Sequence, residues 1–166
     1  SSTVGTLVER VSYVGYALPG VVVGFALVTV AADTGDLYTS GVIYLPLLVF
    51  AYVVRFLPQA AGSTRAAFGQ VSPALEEAAR TLGDPPGRAF RRVTLPLVLP
   101  GVLGGAALVF LTTMKELPAT LLLRPPEFDT LVTHLWTAEK QGYYGQAAIP
   151  ALVLLLVSAL SLLVML

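Results

Sequence analysis

The residues able to do chemistry are few and gathered. The chain has ten basic and ten acidic side chains in 166 residues. Glu76, Glu77, Arg80, Asp84, Arg88, Arg91 and Arg92 fall in one stretch, EEAARTLGDPPGRAFRRVTLP, and Lys115-Glu116 stand beyond the apolar run that follows it. None of these groups has the spacing of bond-making chemistry. With no cysteine there is no thiol nucleophile, thiolate metal site or disulfide framework, and the redox compartment is unreadable. His134 is the single histidine. It lacks a second His or clustered carboxylates at ligand spacing and reads as a surface residue. There is no Gly-rich phosphate loop, Ser/His/Asp pattern or paired-carboxylate site, so neither catalysis nor a metal or cofactor is expected of this chain. What the stretch can offer is a shaped, charged surface on which another protein could act.

Its local structure follows from residue types. Ser72-Pro73 opens a helix, because a hydroxyl can cap free N–H groups and proline at the first helical position loses nothing by lacking its own. Leu75, Ala78, Ala79 and Leu82 recur at helical spacing on one face, with Glu76 and Arg80 four residues apart as a surface ion pair. Gly83 supplies a left-handed stop, and the turn Asp84-Pro85-Pro86-Gly87 is followed by a second short helix through Arg88, Phe90, Arg91 and Arg92, leading to Leu95-Pro96 and the next membrane span. Glu76, Glu77 and Arg80 could also be just the solvated face of a surface helix.

These elements must be positioned by a membrane. The sequence is 55% hydrophobic and 12% charged, with a mean hydropathy of +0.78, far to the apolar side of soluble domains. Its formal net charge is zero, so no field recruits nucleic acid. Charge-free runs predict an all-α polytopic protein with four transmembrane helices at 11–32, 37–54, 93–114 and 141–166. The interval 55–92 is then a loop holding Arg55, Arg65, Arg80, Arg88, Arg91 and Arg92. Basic loops stay in the cytoplasm, which places this loop and Arg10 inside. Pro19-Gly20 should kink the first span near its middle, and Pro46 should bend the second. Gly20 and Gly24, like Gly101 and Gly105, have the spacing that lets helix backbones approach, although glycine is also simply common in membrane helices.

Outside, Asp33-Thr34-Gly35-Asp36 forms a short acidic turn. Lys115 and Glu116 meet a span end there. Either they snorkel to water or, with Pro118 near them, one faces the bundle interior and lines a translocation route. A short helix opening at Asp129, with Leu131, Val132, Leu135 and Trp136 as its apolar stripe, should lie in the outer interface. Trp136, Tyr143 and Tyr144 would form an aromatic belt. The chain opens at Ser1 without a methionine or signal-peptide order and is read as a piece, 1–166, of a single transmembrane domain.

Glu77-Ala78-Ala79, three residues, Gly83, nine residues, then Val93-x-Leu95-Pro96 resembles the "EAA" coupling loop of ABC importer permeases, with no insertion. ALPGVVVGFAL, beginning at Ala17, and KELPATLLLRP with FDTL, from Lys115 to Leu131, resemble the C-terminal half of permeases in the ferric iron, thiamine and aminoalkylphosphonate group. Gly87 stands where members of that family commonly have an aromatic residue after the turn proline.

The resemblance implies a bacterial inner-membrane permease component of an importer, most closely for ferric iron. Its partners would be an ABC ATPase subunit docked on Glu77, Ala78, Ala79, Gly83, Leu95 and Pro96, a periplasmic or surface substrate-binding protein, a second permease half, and membrane lipid. ATP hydrolysis would belong to the partner. From another class, half of a secondary transporter would also be helical, kinked and glycine-rich.

Overall fold

A computed structural model of the chain describes residues 17–33, 35 and 41–165, with side chains to 163. Among them all regular structure is helical. In chain order the elements are α1 Gly20–Ala32, α2 Tyr44–Gly69, α3 Pro73–Thr81 and α4 Pro86–Ala89. A π-helical turn over Phe90–Thr94 then leads into α5 Leu95–Met114, α6 Pro118–Leu123, α7 Leu131–Lys140 and α8 Tyr144–Met165. Three stretches are long and apolar enough to cross a bilayer, Tyr44–Gly69, Pro86–Met114 and Tyr144–Leu163, while Gly20–Ala32 is a shorter apolar helix. Of the expected first span only α1 is described, too short by itself to cross a bilayer; the part at 11–16 lies outside the described residues, as do Arg10, Thr34, Asp36 and 37–40.

Two prolines stand at helix openings. Pro19 is the N-cap of α1, which begins at Gly20, and Ala17 before it is again helical, so the helix is interrupted at the pair; the rest of the expected span on that side, 11–16, lies outside the described residues. Pro46 sits in the first turn of α2, where a missing N–H costs nothing, and the proline inside that helix is Pro58. The second span also does not stop at Val54. It runs unbroken to Gly69, so Arg55 and Arg65 belong to a helix and the connecting segment is shorter than 55–92. At 1.5 Å per residue, Arg55 lies roughly 16 Å from one end of α2 and roughly 21 Å from the other.

α2 and α5 pack antiparallel, and small residues make the approach possible. A Cβ built on Gly101 would stand 2.8 Å from the Ala67 Cβ, and one on Gly105 would overlap the Ser63 hydroxyl. Likewise a Cβ on Gly24 would come within 3.3 Å of the Ala119 Cα on α6. The glycine spacing read from the sequence therefore serves close helix packing. Where α1, α2 and α6 meet, Val23, Leu48, Ala51 and Leu123 form a buried cluster. Phe25, Phe50, Leu103, Phe110 and Leu155 face outward, as expected of helices whose surroundings are lipid or other helices.

A pair of substitutions tests this seam. Gly105→Leu should destabilise the protein by about 1–3 kcal/mol, the usual cost of overpacking. Gly104→Ala, on the neighbouring residue with open space around it, should be neutral or stabilising by up to about 1 kcal/mol. Thermal unfolding in detergent separates them, and equal behaviour would refute the close approach.

α7 is capped by Thr130, not Asp129. The Thr130 hydroxyl accepts from the Thr133 N–H at 3.3 Å, and the Thr133 hydroxyl accepts from the Thr130 N–H at 2.9 Å. Asp129 instead pairs with Arg124, closing the loop between α6 and α7. Gly142, at φ 77°, turns the chain so that α7 folds back along α8 and does not lie alone in an interface. Trp136, Tyr143 and Tyr144 are exposed on this hairpin.

Candidate functional site

α3 is built as its residues dictate, with one exception. Pro73 occupies the first turn and Ser72 the N-cap in extended conformation, but the serine hydroxyl makes no capping bond. At the other end Gly83 takes φ 99°. Its N–H donates to the Arg80 carbonyl at 3.0 Å, while the Asp84 N–H reaches back to the Ala79 carbonyl at 3.2 Å, which satisfies the carbonyls of the last turn. The Asp84 carboxylate faces the guanidinium groups of Arg88 and Arg92, each at 3.7 Å. Ala89 is fully buried under this turn, and Phe90 stacks on Phe68 of α2 with ring centroids 6.5 Å apart.

Glu76 does not pair with Arg80. Its Oε2 accepts a 2.7 Å hydrogen bond from the buried Thr94 hydroxyl, at the point where the π turn passes into α5. The outward face of α3 is left to Glu77, Ala78, Leu82 and Gly83, all exposed, with Leu82 at 88%. Ala79 is half-buried, and Leu95 and Pro96 are exposed at the base of α5. The six residues expected to couple thus fall into two neighbouring groups, four on the elbow and two where it joins the span. A Cβ on Gly87 would meet nothing within 4 Å, so the missing aromatic leaves no hole in the chain itself.

The second constellation separates residues that the sequence placed together. Lys115 ends α5 and is exposed, as is Pro118, whereas Glu116 is 8% exposed. Glu116 pairs with Arg55 from the middle of α2. Its Oε1 also accepts the Ala119 N–H at 3.1 Å, which caps α6. A Cβ on Gly20 would meet the ends of both charged side chains, so the glycine lets α1 close over the pair without displacing them. Hydrogen bonds flank it on the α2 seam: Tyr52 to Thr120 at 2.6 Å, and the Gln59 amide donating to Thr112 at 3.2 Å. In the sequence Arg55 reads as a loop cation. The only signal of its role was that it interrupts an otherwise continuous apolar run. Beside the seam a cavity of about 300 Å³ is lined by Tyr52, Phe110, Thr113, Met114, Thr130 and Leu131. Among the described residues no group of three or more His, Asp or Glu could hold a metal ion.

Comparison with known proteins returns one family over the full chain. Residues 1–166 match the binding-protein-dependent transport system inner membrane component. The chain is 37% identical over 154 residues to the Fe(3+)-transport system permease protein FbpB 2 of Haemophilus influenzae, which covers 92% of this chain and 30% of that protein. It is 32% identical over 152 residues to PhnV of Salmonella typhimurium, named for 2-aminoethylphosphonate transport, covering 92% and 56%. To the molybdenum transport system permease protein ModB of Escherichia coli it is 33% identical over 142 residues, covering 79% and 62%. The chain therefore spans less than two thirds of the length of each of these relatives.

Proposed function

The chain belongs to the family of binding-protein-dependent transport system inner membrane components, and from that premise we propose that it forms part of the translocation unit of an ATP-driven importer. Its elbow docks on an ATPase subunit. The observation that carries this is the elbow around α3, where Glu77, Ala78 and, just past the helix, Leu82 face outward while Glu76 of α3 holds Thr94 and Phe90 of the π turn stacks on α2. A partner that grips the exposed face can then move the membrane helices. Hydrolysis belongs to that partner, and a substrate-binding protein delivers cargo to the far side.

The cargo we propose is ferric iron, with an aminoalkylphosphonate or thiamine as the alternative. The relative named for Fe(3+) transport has the highest identity of the three. Selection would reside in the binding protein, since hard Fe(III) wants several clustered oxygen ligands and this chain gathers none among the described residues.

Two measurements test the proposal. The complete permease should retain a nucleotide-binding subunit on purification, and its deletion should impair growth under iron limitation but not under phosphorus or thiamine limitation. Loss of the subunit would refute the docking role; a growth defect cured by phosphate or thiamine instead of iron would transfer the cargo to the alternative. Orientation is tested separately with a cysteine at Ser72 or at Pro126, both exposed. An impermeant thiol reagent should label Pro126→Cys in intact cells, and labelling of Ser72→Cys instead would invert the topology.

A further inference from the structure

The elbow is fastened to the span that follows it by one hydrogen bond whose two ends differ in setting. Glu76 lies on α3, half-buried, with Glu77 beside it turned outward. Thr94 is 8% exposed and closes the π turn, where the Leu95 N–H reaches the Phe90 carbonyl five residues back. Such wide turns are uncommon and gather at functional places, because they set the rotation of the helix before them against the helix after. The bond from the Thr94 hydroxyl to Glu76 Oε2, at 2.7 Å, spans that turn directly. It is short and charge-assisted, the stronger kind of hydrogen bond. The longer Asp84 contacts to Arg88 and Arg92 brace the elbow internally.

We propose that Glu76 and Thr94 are the transmission contact between the docked elbow and α5: they are positioning residues that convert movement of α3 into movement of the span. Glu77 and Leu82 meet the partner, whereas Glu76 faces inward and meets the membrane helix. A push on α3 therefore reaches α5 through a fixed side-chain strut as well as along the backbone, whose π turn would otherwise absorb part of it. This rests on the docking role proposed above.

The test uses the complete permease with its ATPase subunit, cleared of native cysteines and carrying a single cysteine at Thr113 beside the cavity at the far end of α5. The readout is the ratio of thiol-labelling rates without nucleotide and with vanadate-trapped nucleotide, measured beside ATP hydrolysis; neither needs the cargo. Thr94→Val keeps the shape and removes the donor. It should leave the ATPase subunit bound and hydrolysing while the nucleotide-dependent labelling ratio falls by about tenfold, the factor expected for one hydrogen bond to a charged group. Glu76→Leu should behave alike. Thr94→Ser and Glu76→Gln, which keep a donor and an acceptor, should retain most of the response. An undiminished ratio in Thr94→Val overturns the proposal, and so does loss of the ATPase subunit from it, which would make Thr94 a docking or folding residue. Failure of the unsubstituted permease to bind any ATPase subunit would overturn the docking role itself, a result distinguishable from both.

Discussion

Glu116→Gln should destabilise the folded protein by about 3–5 kcal/mol, the cost of leaving a buried charge without its partner. The charge left behind is Arg55, held in the middle of α2 and covered by Gly20 of α1. The glutamine could still accept from Ala119, so the loss isolates the ion pair from the cap on α6. Arg55→Met should cost a similar amount. Arg55→Met together with Glu116→Leu should recover most of it, because apolar residues of similar volume often replace a buried pair at little cost. Thermal unfolding in detergent of these proteins, with Glu116→Leu as the matching single variant, gives the comparison. If the double variant is as unstable as the sum of the singles, the pair is not the unit that matters.

The same set decides between the two readings of the Lys115-Glu116 end. Ionisable groups at membrane depth commonly mark a transport route. A stable double variant that no longer transports would place Glu116 on the route, and one that transports normally would make the pair a structural junction of α1, α2 and α6. Exposed Lys115 and Pro118 are then tested without the stability problem, since neither is buried.

Local signals in the sequence were legible because they act locally. Pro73, Gly83 and the run from Asp84 to Gly87 fix helix ends through backbone geometry alone, and α3 and its turn sit where they predict. Long apolar runs announce spans for the same reason. What the sequence hid was every interaction whose partner is distant along the chain. Arg55 looks like the first residue of a basic loop because nothing near it says that Glu116 will stand opposite, and the helix in fact continues to Gly69. Glu76 has Arg80 at helical spacing, and the nearer charge was read as its partner, although the fold brings Thr94 closer in.

Reversal of charge on the outward face of the elbow should have the largest effect on function with the least on the fold. Glu77→Lys changes an exposed residue that pairs with nothing the chain itself needs for packing. Insertion and unfolding temperature should therefore match the unsubstituted protein. At an interface, placing like charges together costs several kcal/mol, so retention of the ATPase subunit should fall by at least about tenfold and uptake with it. Gly83→Pro reaches the same end by another path. Proline can neither adopt φ 99° nor donate the bond that Gly83 makes to Arg80, so the end of α3 would open and Leu82 would be re-aimed. Glu139→Lys, an equal change of charge on exposed α7, serves as the control and should leave both measurements unchanged. Normal uptake in Glu77→Lys would return α3 to being the solvated face of a surface helix. A loss shared by Glu139→Lys would point to net charge and not to docking, and only selective loss at the elbow fits a helix through which an ATPase drives the membrane helices.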